Sequence, residues 1–216
     1  MSIHRPCLAA GAAAALAALW LAMLLLGAGD GDRALLMALY AGDEPWLALA
    51  AIGFTYLGNW PTVVVMTVLG ASWLAYRGKR RAALVLLIAS FSGRLMVILE
   101  KAYFARLRPE ENLRLAEVHY QSFPSGHAAN SMIVYLGIAL LAFDDPQHRR
   151  WAVAGALLLS FLIGFSRPML GVHWPSDVVA GWAFGLLWTL LVLAVAERWA
   201  GRSLAKAEPM PPAGSA

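Results

Sequence analysis

Charged residues and cysteine are both scarce in this sequence of 216 residues. Asp, Glu, Lys and Arg make up 14% of the chain, against about 25% in an ordinary soluble domain, and 60% of the residues are hydrophobic. The single cysteine, Cys7, excludes an internal disulfide and a metal site built from cysteines. The formal net charge of +4 does not indicate nucleic-acid binding, because the basic residues lie in short segments between apolar runs. The composition therefore predicts a membrane protein.

Apolar runs of the length that crosses a membrane, about 20 residues, recur along the chain. Six segments reach or approach this length, at about residues 7–26, 60–76, 82–99, 127–143, 151–165 and 178–196. They predict an all-α integral membrane protein with six transmembrane helices, in a single domain over residues 1–208. Residues 45–57 are apolar but too short to span, so we expect them, with residues 34–40, at the interface or in a re-entrant segment. Residues 209–216 have the composition of a disordered tail.

The charges of the connecting segments predict the orientation. Basic residues crowd the connections after the second and fourth segments and follow the sixth, which places both termini in the cytoplasm of a bacterial inner membrane. The connection over residues 101–124 then faces outward although it is also basic, so those charges require another explanation. A cleaved signal peptide is an alternative for the N-terminal segment, but its apolar run exceeds the usual 7–15 residues.

Three polar clusters interrupt the apolar pattern. They are Lys101-x6-Arg108-Pro109, then Pro124-Ser125-Gly126-His127, then Ser166-Arg167-x5-His173-x3-Asp177. Each cluster falls where a predicted span meets the outer face: the end of the third, the start of the fourth, the end of the fifth and the start of the sixth. Topology alone therefore predicts that residues scattered over the sequence form one site at the outer ends of the helices.

The residue types of these clusters suit an anion such as phosphate. Lys101, Arg108 and Arg167 supply positive charge, and guanidinium groups match phosphate oxygens bidentately. Ser125 and Gly126 lie at a helix start, where backbone N–H groups and the helix dipole favour an anion.

Two histidines and an aspartate can divide the chemistry of phosphoryl transfer. We expect His173 to attack phosphorus, and Asp177 to hold the imidazole in the correct tautomer. His127 would then protonate the leaving oxygen and later activate water. The three cations would stabilise the charge of the transferring group.

These ordered clusters resemble the motifs of the type-2 phosphatidic acid phosphatase superfamily, and every motif position is filled. The resemblance implies a phosphohistidine intermediate, no metal and no other cofactor. It implies a lipid phosphate or pyrophosphate as substrate, of the undecaprenyl pyrophosphate, phosphatidylglycerophosphate, phosphatidic acid or lipid A type. The third motif often carries tyrosine or a similar residue where this chain has Pro168-Met169, a departure that touches no catalytic position but affects the expected pocket wall.

Further polar residues are candidates for supporting roles. Arg94 lies within the third predicted span, on nearly the same helical face as Lys101, and either supports the site from below or pairs with an acid. Pro109 and Ser166 are candidate supports from the motifs, and His119 is expected at the surface near the site.

Two other functions fit parts of the pattern. A lipid phosphotransferase would use the same phosphohistidine with a lipid acceptor in place of water. A lipid transporter or scramblase would place charges near the membrane midplane in several helices, whereas here they crowd at one face.

Overall fold

The computed structural model describes the backbone of residues 4–207 and the side chains of residues 10–199. The predicted tail, residues 209–216, lies outside the described residues, as does the side chain of Cys7. Apart from a short 3₁₀ turn at Glu111–Leu113, the regular structure of residues 4–207 is α-helical. The helices are α1 (His4–Leu26), α2 (Asp30–Leu39), α3 (Pro45–Gly58), α4 (Trp60–Tyr76), α5 (Arg80–Phe104), α6 (Gly126–Ala142), α7 (Pro146–Met169) and α8 (Pro175–Ala207).

Helix α6 forms the centre of the bundle. Most of its residues are buried around the whole circumference, which is the pattern of a helix enclosed on all sides. Helices α3, α4, α5, α7 and α8 all pack against it. Its first turn carries the second motif, so the packing of the core fixes the position of that motif.

Two glycines allow α8 to approach α6 closely. A Cβ atom at Gly181 would lie 2.6 Å from the backbone oxygen of Ser125, and one at Gly185 would lie 2.7 Å from that of Ala129. Spaced four residues apart, they form the small-xxx-small pattern that brings helix backbones together in membranes. This contact holds the start of α8, and with it Asp177, beside the start of α6.

The all-α, membrane-type fold is confirmed, and the count of six spans stays a prediction. Among the described residues, three helices, α5, α7 and α8, are long and apolar enough to cross a membrane. Two bent pairs raise the number to five if each is one span: residues 10–26 with α2, bent by 98°, and α3 with α4, bent by 49°. Helix α6 is apolar but has only 17 residues, short of the about 20 that cross a membrane.

Several helices extend beyond the apolar segments that predicted them. Lys101 was expected after the end of a helix but lies in the last turn of α5, and Asp177 was expected before a helix but lies in the first turn of α8. Hydropathy misses these turns because they carry the polar residues of the site, whereas backbone hydrogen bonding continues through them.

Helix α3 is drawn into the bundle and packs mainly along α7. A Cβ atom at Gly58 would lie 2.4 Å from the side chain of Ile163 in α7, so the glycine permits this close packing. The bend between α3 and α4 brings Asn59 to the level of the second motif, next to His127.

Candidate active site

All three motifs line one cavity of about 620 Å³. Both imidazoles and all three motif cations contribute to its wall: Lys101, Arg108, His127, Arg167 and His173. Residues 117–121 line one part of it, and the start of α4 and the C-terminal half of α5 line another. The convergence expected from topology is therefore present in the structure.

The turn after α7 ends the helix and directs the chain back toward the cavity. Gly171 adopts a left-handed conformation, with φ of 67°, and its N–H donates to the carbonyl of Pro168 at 2.9 Å. The N–H of Val172 donates to the carbonyl of Arg167 at 3.2 Å, which completes a Schellman motif. A Cβ atom at Gly171 would lie 2.2 Å from the oxygen of Leu113, so both conformation and space require glycine here. His173 follows directly.

His173 is held through one ring nitrogen. Its Nδ1 lies 3.3 Å from Oδ2 of Asp177 and 3.3 Å from Oγ of Ser122, and its side chain is 2% exposed. With Nδ1–H directed at the carboxylate, the lone pair of the neutral ring is on Nε2. Burial, reinforced by the positive charge of Arg108, holds the pKa of His173 well below its usual range. The ring is therefore neutral at neutral pH, as a nucleophile must be.

Asp177 is fully buried, and its carboxylate accepts several hydrogen bonds. Ser122 Oγ donates to Oδ2 at 2.5 Å, and the backbone N–H of Trp174 donates to the same oxygen at 3.1 Å. The second contact resembles half of a capping box, in which an acidic residue in the first turn satisfies the N–H before the helix. Asp177 thus caps α8 and orients His173 at once.

Arg106 completes the surroundings of Asp177, although the sequence did not single it out for the site. Its Nη1 donates to Asp177 Oδ1 at 2.8 Å, and its Nη2 donates to the backbone oxygens of Met23 at 3.0 Å and Leu24 at 2.6 Å. The guanidinium also stacks 4.4 Å from the centre of the Phe123 ring. Arg106 therefore joins the end of α1 to Asp177. This contact explains one of the basic residues in the connection over residues 101–124.

Lys101 and Arg108 hold the loop that covers the cavity. Lys101 Nζ donates to the backbone oxygens of Gln121 at 2.6 Å and Ser122 at 3.0 Å. Arg108 Nη1 donates to the oxygen of Val172 at 2.5 Å, and its Nε donates to that of Tyr120 at 2.6 Å. Each side chain keeps further N–H donors for a ligand. Burial lowers the pKa of Arg108 to about 10, which still leaves it charged at neutral pH.

Arg167 and Ser125 retain unused hydrogen-bonding atoms. Arg167 is 4% exposed and donates through Nη1 to Thr55 Oγ1, while its Nε has no partner among the described residues. Ser125 precedes α6 in the N-cap position, yet its buried hydroxyl makes no capping hydrogen bond. The N–H of Ser125 donates to the carbonyl of Asp177 at 2.9 Å. The hydroxyl is thus the group that Ser125 can offer.

His127 has a partner that the sequence did not reveal. Its Nε2 donates to Oδ1 of Asn59 at 2.7 Å. Asn59 was noted only as the start of a helix, because residues 68 positions apart gave no signal of contact. The amide fixes the ring orientation and leaves Nδ1 as the nitrogen available for proton exchange.

The supporting candidates separate in the structure. Arg94 lines the cavity with its guanidinium 4.8 Å from the ring centre of Trp60, and no described acid pairs with it. His119 is exposed but also lines the cavity. Pro109 accepts from Arg114 in the loop, and Ser166 donates to the oxygen of Ile163 in its own helix, so neither faces the cavity.

The departure at Pro168-Met169 lies away from the site. Neither residue lines the cavity, and Met169 packs against Ala51, Leu170 and Val172. The pocket wall is therefore not altered by this pair, contrary to expectation.

No group of three or more His, Cys, Asp or Glu side chains that could hold a metal occurs between residues 10 and 199. The charge that would offset a phosphate is supplied by arginine and lysine instead. Independence from metal stays a prediction.

The fold and the site together define a class: a helical protein of membrane type with a cavity lined by two imidazoles and three cations. Comparison with known proteins agrees. The sequence model of the PAP2 superfamily matches residues 80–200, which include all three motifs, and the chain belongs to this superfamily. The prediction of a PAP2-type hydrolase is confirmed at the level of the family.

Relatives and a solved structure support this assignment. Phosphatidylglycerophosphatase B of Bacillus subtilis is 31% identical over 78% of this chain and 85% of its own length. Lipid A 1-phosphatase of Rhizobium johnstonii is 31% identical over 73% of this chain and 64% of its own length. The crystal structure of a transmembrane PAP2-type phosphatidylglycerolphosphate phosphatase from Bacillus subtilis superposes with a TM-score of 0.78, at 29% identity over 86% of this chain and 96% of that chain.

Proposed function

We propose that this protein hydrolyses a phosphate monoester or diphosphate carried by a membrane lipid, through a phosphohistidine formed on His173. The observation that carries the proposal is the cavity itself. It holds a neutral, oriented imidazole, a second imidazole and three cations, and it opens on one side between helices of membrane type.

In the first step Nε2 of His173 attacks phosphorus, and the bond between phosphorus and the ester oxygen breaks. Asp177 accepts the hydrogen bond from Nδ1–H and stabilises the positive charge that the ring gains. His127, in its protonated form, gives its proton to the departing oxygen. Lys101, Arg108 and Arg167 stabilise the negative charge on the phosphoryl oxygens.

In the second step water attacks phosphorus and the bond to His173 breaks. His127, now neutral, accepts the proton of the water, so inorganic phosphate leaves and both histidines return to their starting states. The Asn59 amide keeps the His127 ring in one orientation through both steps.

Leaving-group chemistry tests the two histidine roles. His173→Ala should abolish turnover of every substrate, whereas His127→Ala should lose about 10²–10⁴-fold on a lipid phosphate. In single-turnover assays His127→Ala should recover part of its rate with a nitrophenyl ester, whose leaving group needs little protonation. Recovery of His173→Ala by that ester, or acid-labile label trapped on His127, would reverse the assignment. Phosphate release without an added acceptor separates a hydrolase from a phosphotransferase.

Chelation tests the proposed independence from metal. We expect full activity in EDTA, and inhibition by vanadate, which resembles the five-coordinate transition state and would meet the same cations. Loss of turnover on chelation, restored by magnesium or zinc, would contradict the proposed chemistry.

We place the site on the outer face of a bacterial inner membrane with both termini in the cytoplasm. The basic connections at the opposite end of the bundle, around Lys79 and Arg149, support this orientation. Reporter fusions after Gly78 and after Pro146 should read as cytoplasmic, and a periplasmic signal at either position would overturn it.

A further inference from the structure

A fourth cation faces the active-site cavity from within the membrane-spanning part of α5. Arg94 lies seven residues before Lys101, which is about two helical turns and ~10 Å along the axis on nearly the same face. It lines the cavity together with Trp60 and Pro61 of α4. Arg94 therefore adds a fourth cation to the cavity wall, further than Lys101 from the C-terminal end of α5.

The guanidinium of Arg94 is available to a ligand. It lies 4.8 Å from the centre of the Trp60 ring, and no hydrogen bond or ion pair joins it to another described side chain. Stacking uses the flat face of a guanidinium and leaves its N–H donors free at the edge. A cation without an acidic partner is costly within a span, which favours a functional reason for keeping it.

Asn130 adds a second, independent observation. It lies one helical turn after His127 and lines both the cavity and a separate small pocket that Arg94 also lines. Its side chain is buried, with 8% exposure, and its Oδ1 has no hydrogen-bond partner among the described residues. A Cβ atom at Gly126 would lie 3.7 Å from its Nδ2, which places the amide beside the phosphate-binding turn.

On the side near Arg94, the acyl chains of a bound lipid can extend from the cavity into the membrane. Trp60 of α4 and Ile98 of α5 border it and are 56% and 48% exposed, so they face the membrane. Helices α4 and α5 pack together at their other ends, through Leu74 and Leu86. A lipid with its terminal phosphate at His173 would therefore pass Arg94 on the way to its acyl chains.

We propose that Arg94 and Asn130 form a second binding position for a phosphodiester that lies between the hydrolysed phosphate and the acyl chains. This inference rests on the proposed function and specifies its substrate class: a lipid with two phosphates separated by a glycerol unit. The spacing of Arg94 from Lys101 suits a glycerol bridge better than a diphosphate, in which a single oxygen joins the phosphorus atoms. The free oxygen of Asn130 would accept the hydroxyl of that glycerol.

Two substrates and three variants test this position. Dioctanoyl phosphatidylglycerophosphate carries the inner phosphodiester, and dioctanoyl phosphatidic acid lacks it. Arg94→Met should lower kcat/KM on the first by about 10- to 100-fold, the range expected for a lost charge-assisted hydrogen bond, and change the second less than about twofold. Arg94→Lys should restore part of the loss. The matched control is Arg77→Met, because Arg77 also stacks on a tryptophan, Trp73 at 5.3 Å, but does not line the cavity.

Equal losses on both substrates would assign Arg94 a structural role and overturn the proposal, as would no loss on either. Binding separates this result from failure of the proposed function. Native mass spectrometry of His173→Ala should show tighter binding of phosphatidylglycerophosphate than of phosphatidic acid, and Arg94→Met should remove that preference. If the wild-type protein hydrolyses neither of these lipids nor any other lipid phosphate or diphosphate, the proposed function fails, while this binding comparison still decides the role of Arg94.

Discussion

Removal of the Arg106 guanidinium should destabilise the protein strongly, because it leaves Asp177 buried without its charged partner. The two side chains are 10% and 0% exposed, and their N–O distance is 2.8 Å. Breaking such a pair from one side typically costs about 3–5 kcal/mol. For a chain of this size we expect Arg106→Met to lower Tm by roughly 10 °C in a thermal-shift assay in detergent.

A double variant tests the cause. In Arg106→Met/Asp177→Asn neither position carries a charge, so the losses should be less than additive, by up to about 3 kcal/mol. The control is Arg33→Met, which breaks the exposed ion pair between Arg33 and Glu110 and should change Tm little. Strict additivity, or a loss no larger than that of the control, would refute the view that Asp177 depends on Arg106.

Three further predictions concern the site and its framework. Burial lowers the pKa of His173, so protonation should stop phosphohistidine formation only well below pH 6.5, as measured by single-turnover labelling across pH; loss already at pH 7 would contradict this. Gly181→Ala should lower Tm and activity, because its Cβ would lie 2.6 Å from a backbone oxygen of α6, whereas Gly155→Ala, with nothing within 4 Å, should be neutral. Asn59→Leu should lower kcat about tenfold with little change in KM, since His127 loses the partner that orients it; an unchanged kcat would exclude that role.

The motifs made most of the site predictable. Hydropathy places each cluster at the end of a span. Because successive spans cross the membrane in alternating directions, His127, Arg167 and His173 are expected at one level. The structure places these residues around one cavity. The residue types predicted the role of the cations, because arginine and lysine side chains at these positions can bind phosphate oxygens.

Other contacts could not be read from the sequence. The bond between His127 and Asn59 joins residues 68 positions apart, and it depends on the bend of 49° between α3 and α4. In the sequence Arg106 is one of several charges in a basic loop. Only the tertiary structure shows that its guanidinium bonds both Asp177 and the backbone at the end of α1. The hydrogen bond from the N–H of Ser125 to the carbonyl of Asp177 depends on the close packing of α6 and α8.

By itself the sequence determined the membrane-type helical fold, the family and the residues of the three motifs, because hydropathy, residue type and spacing are local properties. The tertiary structure decided which partners orient those residues and that Arg94 faces the cavity without a described acid beside it. These facts depend on the angles and distances between helices. Side-chain packing sets those angles and distances, and the order of residues along one helix does not specify them.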